Sequence, residues 1–416
     1  MSDMQTLNGN CIIIGASHAG VNAAFALRKE GWQGAITIFD TDPTLPYHRP
    51  PLSKAYLTSD DGIEKNLLKA EQSYEKNNIS LSLGIKITLI DRQKQLIHTE
   101  DGELHNYSKL IIATGARPFI PPIKGIDSAH QLYPLRTAED VNHIRQAMLN
   151  SDSQRVVIIG GGYIGLETAA SLKKMGANVT VLERESRILA RVTAPLMSDY
   201  FQQLHHEHGV EVFTAKDVIS IETKDDSNTV ICADGSQYPA DIIIVGVGIR
   251  VNTELALEAG LDIENGIKVD NAARTNDNDI YAIGDCSFHH NPHYNRLIRL
   301  ESVQNAVDQA KVAAASICGK DVTYDTLPWF WSDQYDVKLQ MVGLSSGYNK
   351  VILRKETDDE GKFSVWYFDH DRLLSVDTIN HAKAYVVGTK LIKSGAVINQ
   401  SKLADSRIAL HPDNLI

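Results

Sequence analysis

Residues 155–165 read Arg-Val-Val-Ile-Ile-Gly-Gly-Gly-Tyr-Ile-Gly, and this stretch decides the fold. The apolar, β-branched run predicts a buried parallel strand, and the glycines predict a tight turn into a helix. Gly160, Gly162 and Gly165 complete a G-x-G-x-x-G pattern. In that pattern backbone amides and a helix N-terminus face a pyrophosphate. The stretch therefore predicts a Rossmann-like dinucleotide-binding unit.

The same arrangement occurs near the N-terminus. Cys11-Ile12-Ile13-Ile14 precedes Gly15-Ala16-Ser17-His18-Ala19-Gly20. Ser17 stands where the second glycine is expected, and as a small polar residue it could itself donate a hydrogen bond to a phosphate. We expect Gly15, Ser17 and Gly20 to bind a second pyrophosphate. Two such sites predict two dinucleotides, and FAD with NAD(P)H is the economical pair.

An acid at the end of the following strand marks each unit. Glu183 follows Val179–Leu182, where a carboxylate binds the ribose 2′-hydroxyl of NADH and repels the 2′-phosphate of NADPH. Arg184 and Arg187 stand close by and leave NADPH as an alternative. Asp40 occupies the equivalent place in the first unit. Its alternative interpretation is an exposed acid beside an ordinary strand–helix turn.

Length and composition restrict the class of protein. The 416 residues, 43% hydrophobic and 22% charged, predict a globular protein of two or three domains. The net charge of −11 argues against non-specific nucleic-acid binding. We expect no membrane helix, because no apolar stretch reaches about 18 residues. The polar N-terminus runs directly into the first strand, which predicts a cytoplasmic protein without a signal peptide.

Cysteine and histidine spacing predicts neither a disulfide framework nor a metal site. Cys11, Cys232, Cys286 and Cys318 form no C-x-x-C pair and no zinc-ligand spacing. His289, His290 and His293 stand among Asn and Pro, which predicts a polar loop. After Pro328, alternating runs predict an antiparallel sheet, and a helix is expected near residues 380–394.

Seven motifs resemble those of the FAD-dependent NADH:ferredoxin reductases, the family of putidaredoxin reductase, rubredoxin reductase and the reductases of aromatic-ring dioxygenases. They are Arg49–Lys54, Ala113–Pro118, Gly160–Glu167, Gly246–Arg250 with Asn252, Ile283–Cys286, Glu301–Ala306 and Pro328–Gln334. The resemblance implies an α/β fold with two nested, glutathione-reductase-like Rossmann domains and a C-terminal α+β domain. It implies an FAD-binding domain at 1–118 and 251–325, an NAD-binding domain at 119–250 and the last domain at 326–416.

The resemblance also implies three catalytic residues. Lys54 would stabilise negative charge on the reduced flavin, Glu167 would pair with that lysine, and Trp331 would pack beside the isoalloxazine. Ordinary interpretations remain beside these roles. Lys54 could be a solvated charge, Glu167 a first-turn acid favoured by the helix dipole, and Trp331 a core tryptophan, although Trp329 is the better candidate for the core.

Further cofactor contacts follow from the same resemblance. Asp285 would bind the FAD ribityl chain, and Val303 would begin a helix whose amides face the flavin. Thr41 takes the place at which relatives carry an acid. The other implied contacts are Ala19, Arg49, Ile87, Thr114, Gly115, Arg136 and Gly248, with no metal ligand.

The implied activity is transfer of a hydride from NADH to FAD and then of single electrons to a [2Fe–2S] ferredoxin that feeds an oxygenase or P450. The stretch between Cys11 and Cys232 has no cysteine, so electrons must leave the flavin directly for an external acceptor. The alternatives are a rubredoxin reductase and a redox signalling flavoprotein like apoptosis-inducing factor. We expect a monomer or weak dimer.

Overall fold

The computed structural model describes residues 7–356 and 361–416, which form two compact units. Unit 1 contains the chain up to Arg49 together with Gly62–Arg117 and Arg250–Pro328. Unit 2 contains Pro50–Asp61, Pro118–Ile249 and Trp329–Ile416. Two short strands, Ala116–Pro118 and Ile249–Val251, lie where the chain passes from one unit to the other. The assignment of three domains stays a prediction.

A five-stranded parallel sheet forms the centre of unit 1. In spatial order its strands are Ile280–Ala282, Lys109–Ile112, Cys11–Ile14, Ile36–Asp40 and Ile79–Leu83. Side chains alternate between the two faces of a strand. Cys11 and Ile13 therefore pack into one core cluster, and Ile12 and Ile14 into another. Burial on both faces explains the continuous apolar runs in the sequence.

The helix that follows the first glycine turn spans His18–Glu30 and ends at Gly31 in the left-handed conformation (φ +103°). Small side chains, including Ala23 and Ala24, pack in one cluster with Ala310 and Ala313 of helix Val303–Ile317. The other helices of unit 1 are Glu71–Lys76 and Glu254–Glu258, with a 3₁₀ turn at Ile63–Asn66. Its two small sheets contain Ile87–Asp91, Leu96–Thr99 and Leu104–Asn106, and Ile267–Val269, Ser287–Asn291 and Arg296–Ile298.

Unit 2 repeats this architecture around a second five-stranded parallel sheet. Its strands, in spatial order, are Glu211–Phe213, Asn178–Leu182, Arg155–Ile159, Ile242–Val245 and Leu132–Pro134. The helices are Ala55–Thr58, Ala138–Asn150, Tyr163–Lys174 and Pro195–Glu207, with 3₁₀ turns at Pro50–Ser53 and Ile126–Ser128. An antiparallel sheet of Val218–Lys224, Ser227–Cys232 and Gln237–Ala240 completes this part.

The C-terminal part of unit 2 is an antiparallel sheet with helices, as the alternating sequence predicts. The strands, in spatial order, are Trp329–Gln334, Val337–Gly343, Arg372–Ile379, Phe363–Asp369 and Lys350–Lys355. The helices are Ala382–Ser394, Gln400–Ala404 and Pro412–Leu415. Trp366 is the fully buried tryptophan of this sheet, whereas Trp329 is half-buried. The expectation that Trp329 fills the core is therefore wrong.

The predicted polar loop is correct for His293, which lies in the turn at 292–295, and wrong for His289 and His290. His289 and His290 lie on strand Ser287–Asn291, and His289 is 1% exposed. Its Nδ1 lies 3.1 Å from the side-chain nitrogen of Gln309, a partner distant in sequence, while its Nε2 is buried without a hydrogen-bond partner. Among the described residues, no group of histidine, cysteine and carboxylate side chains could hold a metal ion. None of the described helices is long and apolar enough to cross a membrane.

Candidate active site

The first glycine turn has a shape that only glycine permits. Gly15 has φ +113°, and a Cβ there would lie 2.2 Å from the carbonyl oxygen of Ala113. A Cβ on Gly20 would lie 1.8 Å from the carbonyl oxygen of Gly15. Ser17 is the N-cap of the helix in extended backbone, so the first-turn amides point towards the turn. The turn therefore offers backbone donors and a helix N-terminus to an anion.

Asp40 stabilises this turn from the next strand. Its carboxylate accepts hydrogen bonds from the backbone amides of Ala16 and, at 2.8 Å, Asp42. The half-buried acid is thus a partner of the turn, and its remaining lone pairs are available for a ribose diol. Thr41 is exposed directly beside it.

The predicted ribityl acid and the predicted flavin helix come together in unit 1. Asp285 lies in the 3₁₀ turn Gly284–Cys286, and Val303 begins helix Val303–Ile317. Gln309 of this helix accepts a hydrogen bond of 2.8 Å from the Gly284 amide and so fixes the turn to the helix. Ala19 packs against the same turn, since a Cβ on Gly284 would lie 3.0 Å from its Cβ.

Other predicted contacts in unit 1 have structural partners. Thr114 Oγ1 donates to the backbone oxygen of Asn252 at 2.7 Å, and Asn252 Nδ2 donates back to the Thr114 oxygen at 2.8 Å. Gly115 follows with φ +59°. The side chain of Ile87 is buried in an apolar cluster, and the Arg49 guanidinium lies 5.1 Å from the Tyr47 ring centroid.

The second glycine turn, in unit 2, has the same construction. Gly160 has φ +113°, and a Cβ there would lie 2.4 Å from the carbonyl oxygen of Gly246. A Cβ on Gly165 would lie 2.1 Å from the Gly160 oxygen. At Gly162, by contrast, no described atom lies within 4 Å of an added Cβ. The open side of this turn allows a pyrophosphate to approach the backbone, so the residues present fit a dinucleotide.

Glu183 has the same role in the second turn as Asp40 has in the first. Its carboxylate accepts hydrogen bonds from the amides of Gly161 at 2.7 Å and Glu185 at 2.8 Å. Arg187 is held elsewhere, because it donates to Ser198 Oγ at 2.7 Å and to the Ala190 oxygen at 2.8 Å. The Arg184 side chain is 73% exposed and pairs with the adjacent Glu185.

Three further predicted residues belong to unit 2. Gly248 has φ +115°, and a guanidinium nitrogen of Arg191 lies 4.0 Å from an added Cβ. The amide of Arg136 donates to Asp140, the acid of the capping box that opens helix Ala138–Asn150. Trp331 is half-buried on strand Trp329–Gln334.

Lys54 and Glu167 form an ion pair within unit 2. Lys54 Nζ lies 2.6 Å from Glu167 Oε2, with the two side chains 19% and 4% exposed. Ser53 Oγ donates to the same oxygen at 2.6 Å, and Ser332 Oγ donates to Oε1 at 2.6 Å. Lys54 is thus not a solvated charge, and Glu167 is not a solvated first-turn acid. A buried carboxylate needs such partners.

The two serines were absent from the sequence prediction, although both lie within quoted motifs. Ser53 and Ser332 approach Glu167 from positions 114 and 165 residues away along the chain. No local pattern reports a contact of that range. The only signal in the sequence is that each motif contains a serine beside apolar residues, Leu52 in the first and Trp331 in the second.

The four cysteines form no disulphide with one another, and their thiols are buried or half-buried. Cys11, Cys232 and Cys286 are buried and Cys318 is half-buried. Burial raises the pKa of every one of these thiols, to about 12 for Cys11. A thiolate nucleophile is therefore disfavoured at each position.

Comparison with known proteins decides the family. Residues 9–310 match the pyridine nucleotide-disulphide oxidoreductases, and residues 329–412 match the reductase C-terminal domain. The chain belongs to the pyridine nucleotide-disulphide oxidoreductase family. This oxidoreductase is 40% identical to putidaredoxin reductase CamA of Pseudomonas putida, over 97% of this chain and 96% of the relative. It is 38% identical to a rubredoxin-NAD(+) reductase of Pseudomonas putida, over 95% of this chain and 99% of the relative.

Solved structures agree with the family assignment. The reductase in a covalent putidaredoxin reductase–putidaredoxin complex superposes with a TM-score of 0.92, 41% identity and 97% coverage of both chains. The ferredoxin reductase for the CYP199A2 system of Rhodopseudomonas palustris superposes with a TM-score of 0.93 and 36% identity, covering 97% of this chain and 99% of that chain. The predicted family and α/β fold are confirmed. The cysteines described above show that this member lacks the redox disulphide in the family's description.

Proposed function

We propose that the protein is the reductase component of an oxygenase or P450 system: it takes electrons from NADH through FAD and passes them singly to a [2Fe–2S] ferredoxin. One combination of features carries the proposal. Two separate glycine turns, each stabilised by an acid from the next strand, accompany a buried Lys54–Glu167 pair and unreactive thiols. This combination supports two dinucleotides and an electron path that uses no disulphide.

Unit 1 would hold FAD. Gly15, Ser17 and Gly20 would present amides to its pyrophosphate, and Asp40 would accept from its ribose. Asp285 would bind the ribityl chain from a turn that Gln309 keeps in place. Ala19, Thr41, Arg49, Ile87, Thr114, Gly115 and Val303 are the further proposed contacts in this unit. When bound, FAD supplies the conversion of the two electrons of one hydride into two single-electron transfers, a chemistry that side chains do not provide.

Unit 2 would hold NADH at the Gly160, Gly162 and Gly165 turn. Glu183 would bind the ribose 2′-hydroxyl and repel a 2′-phosphate. Since Arg187 is already bonded to Ser198 and Ala190, a preference for NADH over NADPH is the proposed specificity. Gly248, Arg136 and Trp331 stay proposed cofactor contacts.

The Lys54–Glu167 pair would supply preorganised charge. The ammonium of Lys54 favours a ligand that becomes more negative as it is reduced, and this differential stabilisation accelerates reduction. Glu167 holds that ammonium in one place through its bond of 2.6 Å, so no reorganisation is needed during the reaction. Tyr163, whose pKa is raised by burial, stays a neutral phenol beside this pair.

The acceptor is proposed from the relatives. Putidaredoxin reductase was crystallised in a covalent complex with putidaredoxin. This relative favours a ferredoxin as the electron acceptor. The rubredoxin-NAD(+) reductase relative makes rubredoxin the second candidate. The cytoplasm and a monomeric or weakly dimeric state are proposed from sequence alone.

Steady-state reduction of cytochrome c by NADH tests the proposal. Each purified candidate, [2Fe–2S] ferredoxin or rubredoxin, is added in turn, with ferricyanide as the acceptor that needs no partner. We expect the ferredoxin to stimulate cytochrome c reduction strongly. Stimulation by rubredoxin alone would identify the second candidate, and NADH oxidation without stimulation by either protein would contradict the proposal.

A further inference from the structure

A line of buried hydrogen bonds leads away from Glu167 within unit 2. Ser332 Oγ lies 2.6 Å from Glu167 Oε1, and Gln334 Nε2 lies 3.2 Å from Ser332 Oγ. The Oε1 of Gln334 lies 2.8 Å from His205 Nε2, and His205 Nδ1 lies 3.1 Å from Tyr335 Oη. We name Ser332, Gln334, His205 and Tyr335 the Glu167 chain.

The local sequence explains how this line forms. Ser332 and Gln334 stand two residues apart on one strand, so both side chains point to the same face of the sheet. His205 lies in the last turn of helix Pro195–Glu207 and is fully buried. Buried polar groups are tolerated when every one finds a partner. Each residue of the Glu167 chain has a hydrogen-bond partner in the next residue of the line.

The chemistry of the groups fixes the direction of each proton. Glu167 as a carboxylate only accepts, so the single hydroxyl proton of Ser332 is donated to it. Gln334 must then donate its amide proton to Ser332 and accept from His205. Burial lowers the pKa of His205 to about 4 and raises the pKa of Tyr335. At neutral pH the imidazole is therefore neutral, donates from Nε2, and accepts the tyrosine proton at Nδ1.

All four bonds consequently donate towards the same anion. Hydrogen bonds aligned in one direction polarise one another, and the effect is largest in a low-dielectric interior. Hydrogen bonding to the charged form of a carboxyl group favours that form. The Glu167 chain thus stabilises the ionised carboxylate and occupies Oε1. Its other oxygen, Oε2, accepts from Lys54 and Ser53.

We propose that His205 is a positioning residue for the Lys54–Glu167 pair, acting through Gln334 and Ser332. The inference rests on the proposed function, in which Lys54 favours reduction of the bound cofactor. His205 lies beyond two intervening side chains and touches neither Glu167 nor Lys54 through the bonds described. Its imidazole sets the orientation of the Gln334 amide, and that amide sets the proton of Ser332.

The test compares His205→Phe with His205→Gln in the FAD-loaded protein. Phenylalanine keeps an aromatic ring but removes both nitrogens, whereas glutamine keeps a donor near the position of Nε2. Thr378→Val is the matched control, since this buried hydroxyl lies in the same sheet and donates to the Gln340 oxygen outside the Glu167 chain. Gln334→Met gives the same test should His205→Phe not fold.

The first readout is independent of turnover. The antisymmetric carboxylate stretch in the infrared spectrum responds to the hydrogen bonds that a carboxylate accepts, and the band missing in Glu167→Gln reports this residue. We expect that band to be shifted in His205→Phe, because the bonds to Oε1 lose their fixed order. In His205→Gln and Thr378→Val the band should stay at the wild-type position. His208, which stacks on Tyr335 with 3.7 Å between the ring centroids, has no carboxylate and does not contribute to the band.

The second readout is the stopped-flow rate of FAD reduction by NADH. At neutral pH, His205→Phe should be slower by about threefold to tenfold, with unchanged NADH affinity. A folded His205→Phe whose carboxylate band and reduction rate both match the wild type would overturn the proposal. So would a His205→Gln protein as impaired as His205→Phe, because only packing would then matter. Failure of NADH to reduce the wild type would refute the proposed function alone, since the infrared band of Glu167 still decides the role of His205.

Discussion

Replacing Lys54 by methionine tests the energetic basis of the site. The change keeps most of the side-chain length and removes the ammonium 2.6 Å from a carboxylate that is 4% exposed. Breaking a buried ion pair from one side costs about 3–5 kcal/mol. Ser53 and Ser332 still donate to the remaining carboxylate, so the lower end applies and we expect about 3 kcal/mol.

Glu167→Gln should cost less, although it breaks the same pair. It leaves the Lys54 ammonium, which is 19% exposed and lies 3.3 Å from the Pro50 oxygen. We expect about 2 kcal/mol, because partial hydration compensates for the lost partner. The double variant should then be more stable than the sum of both losses predicts, with a coupling of at least about 1 kcal/mol.

The assay is equilibrium unfolding in urea, followed by tryptophan fluorescence, for the wild type and the three variants loaded with FAD. Trp329, Trp331 and Trp366 all lie in the unit that contains the pair. The four-protein cycle cancels contributions from elsewhere in the chain. Strict additivity, or a Lys54→Met cost smaller than that of Glu167→Gln, would refute the reasoning.

Three further outcomes are expected. Glu183→Ala should lower the ratio of kcat/KM for NADH to kcat/KM for NADPH by about tenfold, because the carboxylate proposed to repel a 2′-phosphate is lost. An unchanged ratio in steady-state assays would be evidence against that role of Glu183. Gly160→Ala should abolish reduction by NADH, since its Cβ would lie 2.4 Å from the Gly246 oxygen. FAD should stay bound, because the first glycine turn is in the other unit. Loss of the FAD absorbance together with the NADH activity would contradict this expectation. Burial raises the pKa of Asp377 from 3.8 to about 6, so the folded state binds its proton more tightly than the unfolded chain does. The free energy of unfolding of the wild type, relative to that of Asp377→Asn, should therefore fall as pH rises from about 4 to 6 and stay lower above pH 6. If the unfolding midpoints of the two proteins change in parallel with pH, this expectation is refuted.

The two glycine turns were predictable because their determinants are local. A strand, a glycine at positive φ and a helix follow one another within a few residues, and Gly15 and Gly160 show the same φ of +113°. The capping box at Thr137 and Asp140, which opens a helix the sequence analysis did not identify, was visible in the same way.

The rest of the site depends on contacts between distant residues. Ser332 and Gln334 gain their roles only when the C-terminal sheet is placed against the helix that carries Glu167, within unit 2. Ser53 gains its role when the 3₁₀ turn Pro50–Ser53 is placed against the same helix. His289 illustrates the same limit, because its polar sequence neighbours indicated a loop while Gln309 stabilises it inside a strand. Polar composition alone does not distinguish a solvated segment from a satisfied buried one.

Anaerobic sequential-mixing spectroscopy tests the central claim most directly. The FAD-loaded protein is mixed with one equivalent of NADH, then with oxidised [2Fe–2S] ferredoxin, before and after treatment of its thiols with iodoacetamide. We expect NADH to bleach the flavin absorbance and the ferredoxin to restore it at the same rate in both preparations, since the thiols are buried or half-buried with raised pKa values. A flavin that NADH does not bleach, or electron transfer to ferredoxin that stops when the thiols are alkylated, would contradict it.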